Sequence, residues 1–314
     1  MKVLVTGGAG FIGSHVVDKL MIDGHDVVVL DNLYSGNMRN IEHHLDESRF
    51  RFVEGDVRQA LTVEKAIEGV DAVIHAAAIV SVPLSIENPV LTNEVNVLGT
   101  LNLLEASVKA KVKRFVYVSS SAVYGDAKKL PIKEDAPVRP LSPYASSKLA
   151  AEGHCTFFFE NHGLETVRLR YFNVYGPRQA LSEYAGVMVK FLDRIRKDQP
   201  PVIFGDGEQT RDLVYVSDVV EATLLALNRD GMAGNLFNIG TGEVVTINKL
   251  CDVFLEITGK KHLKPIFKDA KPGEVRHSQA DITKATKLLG YRHKVPLKSG
   301  VREFINWAEL HQNL

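Results

Sequence analysis

Tyr144 and Lys148 stand four residues apart in Ser142-Pro143-Tyr144-Ala145-Ser146-Ser147-Lys148. Ser142 is a good N-cap and Pro143 a good first helical residue, so the spacing predicts a helix that starts here with both side chains on one face. A free tyrosine, with a pKa of about 10, is a poor base at neutral pH. A neighbouring ammonium and the positive end of the helix would both favour the phenolate, which could then take a proton from a hydroxyl. The pair alone recurs by chance, most often as a surface contact. It gains meaning from Ser119-Ser120-Ser121, which follow a predicted strand at 114–118. A hydroxyl at the carboxyl end of a strand lies where open α/β sheets bind ligands. Any one of these serines could assist the proton transfer, and at least one must serve the turn.

Upstream, Thr6-Gly7-Gly8-Ala9-Gly10-Phe11-Ile12-Gly13 sets glycines at 7, 10 and 13 directly after the apolar run 3–6. This spacing lets backbone approach a pyrophosphate while the next helix offers it free N–H groups. Asp31 follows Gly13 by 18 residues, at the end of a second strand over 27–30. A carboxylate there accepts from adenosine ribose hydroxyls and repels a 2′-phosphate, which favours NAD over NADP. Asp56-Val57, after a third strand, are placed to meet the adenine. Lys148 could then also bond the nicotinamide ribose, and the oxidised ring would add to the pull on Tyr144.

These residues need a sheet to hold them. Further buried strands are predicted at 50–53, 72–75, 115–118 and 166–169, separated by helices that include 90–109 and 143–161. Repeated βα units with continuous apolar strands imply an α/β fold, a Rossmann-type doubly wound parallel sheet covered on both faces. After about residue 175 the rhythm loosens, and Pro and Gly cluster at 199–201 and 205–207. The expectation is a cofactor domain over 1–174, a return to its sheet near 213–215 and 237–239 (about 212–241), and a smaller mixed α/β substrate domain mainly over 175–314.

The 314 residues carry 38 Lys+Arg against 38 Asp+Glu, with 45% hydrophobic and 24% charged. That balance excludes a nucleic-acid binder, which needs a basic excess, and a disordered acidic chain. Cys155 and Cys251 lie 96 positions apart with no CxxC, which argues for a reducing compartment and against a thiolate metal site. No signal core or membrane span is visible, so a cytoplasmic protein is expected. His43-His44 lacks a third ligand at sensible spacing and reads as a solvated face, so no metal is expected. His75 reads as a local packing or hydrogen-bonding residue.

The motifs TGGAGFIG, LDNL, GDVR, HAAA, SSSAVYG, SPYASSK, RYFNVYGPR, GDGEQTRDLVYVSD, NIGTG and PGEVRHS occur in one order along nearly the whole chain. Together they resemble the extended short-chain dehydrogenase/reductases, in the NAD-dependent nucleotide-sugar epimerase/dehydratase family. Within it the chain is most similar to UDP-hexose 4-epimerases, and HAAAIVSVPLSIENP resembles a subgroup acting on UDP-N-acetylhexosamines.

The resemblance implies Tyr144, Lys148 and Ser120 as catalytic residues. It adds Asn32, Ala76, Ala77, Ala78, Asn96 and Tyr171 to the cofactor set of Gly7, Gly10, Phe11, Ile12, Gly13, Asp31, Asp56, Val57 and Lys148. On the substrate side it implies Asn173, Phe204, Arg211, Arg276 and Lys271 around a UDP group, Lys271 replacing the arginine common there. Ser278 matches a position whose size limits the sugar pocket; a small residue leaves room for a 2-acetamido group. Dehydratases carry an acidic pair directly after the catalytic Ser/Thr, where this chain has Ser121 and Ala122. The implied activity is therefore reversible 4-epimerisation of a UDP-sugar with tightly held NAD, in a homodimer pairing helices 90–109 and 143–161. Alternatives are a UDP-glucuronate 4-epimerase or a decarboxylating relative, and a non-catalytic NAD(H) sensor.

Overall fold

Residues 2–6, Lys-Val-Leu-Val-Thr, present apolar side chains on both sides of an extended chain, and the strand they form is covered on both faces. The structure, a computed structural model, describes residues 1–179, 186–270 and 275–311. In chain order its elements begin β1 (Lys2–Thr6), α1 (Phe11–Ile22), β2 (Asp26–Asp31), β3 (Phe50–Glu54), α2 (Ala60–Ala66) and β4 (Ala72–His75). There follow α3 (Val82–Glu87), α4 (Pro89–Asn93), α5 (Gly99–Lys109), β5 (Arg114–Ser120), α6 (Pro143–His162), β6 (Glu165–Tyr171) and β7 (Asn173–Tyr175). The C-terminal part holds α7 (Val187–Arg196), β8 (Val202–Phe204), β9 (Thr210–Arg211), β10 (Leu213–Tyr215), α8 (Val216–Asn228) and β11 (Leu236–Ile239). It ends with β12 (Val245–Thr246), α9 (Ile247–Ile257), β13 (Ile266–Lys268) and α10 (Leu297–Leu310).

Among the described residues, seven strands form one parallel sheet in the order β3-β2-β1-β4-β5-β6-β11. Chain order reverses about β1, so the carboxyl ends of β1 and β4 flank the crevice in which such sheets hold ligands. Val3, Val5, Val29, Ile74 and Val116 join the apolar cluster under α1 and α8. Leu4, Val28, Leu30, Val73 and Phe115 join the opposite one under α2, α5 and α6. Alternate residues thus feed two cores, which is why these strands are apolar without interruption. No helix among the described residues is long and apolar enough to cross a membrane.

Two expectations are corrected. Segment 213–215 does not rejoin the main sheet: β10 pairs in parallel with β7, Leu213 beside Asn173, and only β11 adds to the sheet, beside β6. Phe172, the single residue between β6 and β7, bonds Ile239 O through its N–H, and the chain then leaves the sheet with β10 alongside. Three apolar residues carry no mark of which partner they will find. The helix expected over 90–109 is α4, a π-helical turn Glu94–Leu98 and α5 in succession. The turn holds Asn96 in the interior, at 1% exposure.

Beyond the sheet the strands are two or three residues long and pair in twos, β8 with β13 and β9 with β12. Phe191, Phe254 and Phe304 link α7, α9 and α10 edge to face, with centroids 6.1 and 6.5 Å apart. Their cluster is continuous with the core under α1 and α8.

Candidate active site

The glycine loop is built by contacts that exclude side chains. Gly7 adopts φ 69°, and a Cβ there would stand 2.8 Å from the Ala77 backbone. A Cβ on Gly13 would stand 2.1 Å from Gly7 O. One on Gly10 would meet only Gly7 O, at 3.1 Å, and otherwise fill open space. Gly10 precedes α1, so the helix starts at Phe11, Ile12 and Gly13 with no side-chain cap on its N–H groups. This is the cradle that a pyrophosphate requires. Asp31 ends β2, buried, accepting from Ala9 N at 3.0 Å and Leu33 N at 2.8 Å. Burial raises its pKa against the pull of those two N–H groups. Each oxygen keeps a lone pair for a ribose hydroxyl. The residues present therefore fit a dinucleotide.

The neighbouring residues are more committed. Asn32 donates to Asp56 Oδ2 at 3.0 Å, and Arg58 holds both oxygens of Asp56 and keeps its pKa low. Val57 is buried against Gly99. Ala76, Ala77 and Ala78 are half-buried beyond β4, with Ala77 N donating to Thr6 Oγ1 at 3.3 Å. Asn96, expected in the cofactor set, spends its amide on Ile79 N and O and on Ser147 Oγ, so its side chain fixes this loop to α6. Tyr171, expected beside the cofactor, turns its hydroxyl to Thr223 Oγ1 at 2.6 Å and is 4% exposed. His75 is hydrogen-bonded at both ring nitrogens, to Thr6 and Thr100, and burial followed by the charge of Lys148 lowers its pKa to about 3.

At the end of β5, three consecutive residues are engaged by α6. Ser142 caps that helix through Ala145 N at 3.2 Å, with Pro143 in its first turn. The phenol of Tyr144 meets the Ser120 hydroxyl. Lys148 Nζ donates to Val118 O at 2.8 Å, and Ser119 Oγ donates to Glu152. Residues 144, 148 and 152 are one helical turn apart and share a face. This sorts the serines only in part: Ser119 is spent on Glu152, whereas Ser120 both meets the tyrosine and caps the 3-10 turn Ser121–Tyr124, its Oγ accepting from Ala122 N at 3.2 Å. Lys148 is 2% exposed, and burial lowers its pKa to about 8. Burial likewise raises Tyr144, with the Ser120 bond acting the other way. The lowering of Tyr144 expected from Lys148 is thus not supplied by the chain alone, because the ammonium is directed at a backbone carbonyl.

On the far side of the cleft, Asn173 donates from its N–H and from Nδ2 to Asp212 O, both at 3.1 Å. Phe204 ends β8, half-buried. The chain at 276–278 runs beside β9: Thr210 N donates to Arg276 O and Ser278 N to Thr210 O. Arg211, Arg276 and Ser278 are thereby brought together. Arg211 Nη1 donates to Thr210 O at 2.9 Å. Arg276, expected as a second cation, forms a two-pronged pair with Asp206 at 2.8 and 2.7 Å and holds that carboxyl at about 2. Lys271 lies outside the described residues.

Residues 3–240 match the NAD dependent epimerase/dehydratase family. A UDP-glucose 4-epimerase from Mycolicibacterium smegmatis is 38% identical over 309 residues, which cover 98% of each chain. The solved UDP-glucose 4-epimerase of Thermotoga maritima, with UDP-glucose, gives a TM-score of 0.94 at 40% identity, covering 99% of this chain and 100% of that one. The UDP-N-acetylglucosamine 4-epimerase of Methanobrevibacter ruminantium, in complex with UDP-N-acetylmuramic acid, gives 0.93 at 37%, covering 98% of both. The chain belongs to the NAD-dependent epimerase/dehydratase family. It is an enzyme with NAD as its cofactor.

Several residues that organise this epimerase/dehydratase site escaped the sequence. Glu152 pairs with Arg170 in the interior, and Asp212, fully buried, accepts from Thr241 N, Gly242 N and Ala280 N. The one available signal was an acid at the buried face of α6, one turn beyond Lys148. The reading of His43-His44 also changes. Asp18, from α1, places Oδ1 at 2.9 Å from Nε2 of both imidazoles, the third group that spacing did not reveal. Glu47 takes His44 Nδ1 at 2.8 Å and Arg178 takes Asp18 Oδ2 at 2.7 Å. Burial alone would raise Asp18, but Arg178 and the histidines hold it low. Each polar atom of that cluster named here has a protein partner.

Proposed function

We propose that this enzyme interconverts UDP-hexoses at carbon 4, accepting UDP-glucose and UDP-galactose and also their 2-acetamido counterparts. The observation that carries this reading is the Tyr144–Ser120 contact followed by Ser121 and Ala122, a proton-transfer pair without the adjacent carboxylates that water loss requires. In this reading Tyr144 takes the proton of the 4-hydroxyl while Ser120 holds that oxygen, and Lys148 steadies the developing phenolate and the cofactor ribose. NAD, when bound, supplies the acceptor and then the donor of the hydride at carbon 4. Asn173, Phe204 and Arg211 hold the UDP moiety, and the 4-keto sugar turns its other face before Tyr144 returns the proton.

Ser278, small and half-buried beside β9, is proposed to leave room for the acetamido group. Incubation with UDP-galactose, UDP-N-acetylgalactosamine and UDP-glucuronate, with the product sugars resolved, tests the assignment. Conversion of the first two supports it. Turnover confined to UDP-glucuronate, or loss of water from the product, overturns it.

We further propose a homodimer through α4, α5 and α6, whose outer surface exposes Val90 and Phe157, the latter at 50%. Phe157→Asp should give a monomer in sedimentation analysis; an unchanged dimer would place the contact elsewhere.

A further inference from the structure

Of the three polar ties that join residues 118–120 at the end of β5 to α6, two use groups that the proposed reaction needs, Ser120 and Lys148. The third, between Ser119 and Glu152, uses neither. Glu152 is 4% exposed. Its Oε1 accepts from Ser119 Oγ and from Arg170 Nε at 2.9 Å, and its Oε2 from Arg170 Nη2 at 2.6 Å. Arg170 is buried as well, 4.6 Å from the centre of the Tyr124 ring, with Nη1 donating to Glu134 O at 3.3 Å. Burying such a pair seldom gains stability over apolar packing of the same volume, so stability is a weak explanation for it.

We propose that Glu152 is a positioning residue for the reaction: it fastens Ser119 so that Ser120 meets Tyr144, and its carboxylate supports the charge of Lys148. This rests on the assignment of Ser120, Tyr144 and Lys148 made above. Ser119 lies between Val118, whose carbonyl receives Lys148, and Ser120, whose hydroxyl meets the tyrosine. Successive side chains leave a strand on opposite faces, so fastening Ser119 to α6 sets the twist with which β5 ends and the point where the Ser120 hydroxyl emerges.

The groups facing Lys148 are Glu152 and Cys155 from α6, Tyr117 from β5 with its ring centre 5.1 Å from Nζ, and His75 from β4. Arg170, from β6, reaches this group only through Glu152. The imidazole is neutral and the thiol is kept protonated by burial. Glu152 therefore brings the negative charge that opposes the desolvation of the ammonium.

Two variants separate placement from charge, because Glu152→Gln alone would leave Arg170 unbalanced in the interior. Ser119→Ala removes the tie and leaves the ion pair. It should lower kcat about 5-fold, the worth of one hydrogen bond, with KM, bound NAD and the pH profile of the parent. Glu152→Gln with Arg170→Met keeps an acceptor for Ser119 and removes both charges. It should shift the alkaline fall of kcat to lower pH by about half a unit. Parental kcat in folded Ser119→Ala overturns the placement, and an unmoved alkaline limb in the folded double variant overturns the charge support. A merely structural role would lower the melting temperature of both and move neither readout. Tyr144→Phe, measured beside them, guards the premise: parental turnover there would condemn the site assignment itself and not the role of Glu152.

Discussion

The two walls of the cleft are made differently. On the sheet side, Ser120, Tyr144 and Lys148 stand on a seven-residue strand and a twenty-residue helix. Their neighbours Ser119, Glu152 and Arg170 are buried and satisfied by one another. On the other side, Phe204, Arg211 and Ser278 are carried by strands of two or three residues and a single bridge at Thr210–His277. There the cation Arg276 is exposed and paired with a surface carboxylate. Proton transfer needs groups held to fractions of an ångström, and the interior of a parallel sheet provides that. Recognition of a nucleotide tail, with a sugar that must turn over, needs charge and shape more than rigidity. The contrast predicts that damage to the first wall shows in kcat and damage to the second in KM or substrate choice.

The largest effect belongs to Tyr144. Tyr144→Phe should retain NAD and the melting temperature while kcat for UDP-galactose falls at least about 100-fold, the scale of a lost general base. A rate near the parent's would break the comparison at its strongest point. Next comes Ser278→Tyr on the opposite wall. It should cost about 100-fold in kcat/KM for UDP-N-acetylgalactosamine and leave UDP-galactose nearly untouched, because only the acetamido group needs the space. Equal losses on both substrates would show that position 278 does not sort sugars.

The same contrast explains what the sequence discloses. The glycine loop and the Tyr144–Lys148 pair are local: their spacing within a dozen residues encodes a turn, a helix start and a shared face. The strands of the main sheet are legible because burial on both faces demands continuous apolar runs. Residues 213–215 look the same and yet pair with β7, since a three-residue strand takes its partner from where the chain has already gone. Glu152 with Arg170, and Asp18 with His43 and His44, were hidden for another reason. Each joins elements 18 to 26 residues apart, and no local pattern marks which polar groups will meet. Asn96 and Tyr171 stand in informative motifs but turn their polar atoms inward.

The pH profile sharpens the comparison at a smaller scale. Lys148 has its pKa lowered to about 8 by burial, so the ammonium proposed to steady the Tyr144 phenolate is present below that pH and lost above it. The rate should therefore fall as pH rises through about 8. Stability should move the other way in the NAD-free protein. Between about 8 and the unfolded value of about 10.4, the unfolded chain binds the proton that the folded chain has released, so this group favours folding more as pH rises. Kcat and melting temperature measured between pH 7 and 10 should diverge; a parallel fall of both would assign the alkaline limb to general unfolding.

The smallest effect tests the loose wall. Asp206 and Arg276 form a two-pronged pair in full contact with water, where side-chain entropy and screening cancel most of the Coulomb attraction. Asp206→Asn should therefore leave the melting temperature within about one degree of the parent. It should also free Arg276 beside Arg211, and a second guanidinium near the diphosphate should lower KM for UDP-galactose about 2-fold, with kcat unchanged. High salt should erase that gain, because both partners are solvated. A drop in kcat instead would mean that this pair, like the one at Glu152, holds the reacting geometry, and the two walls would then be alike.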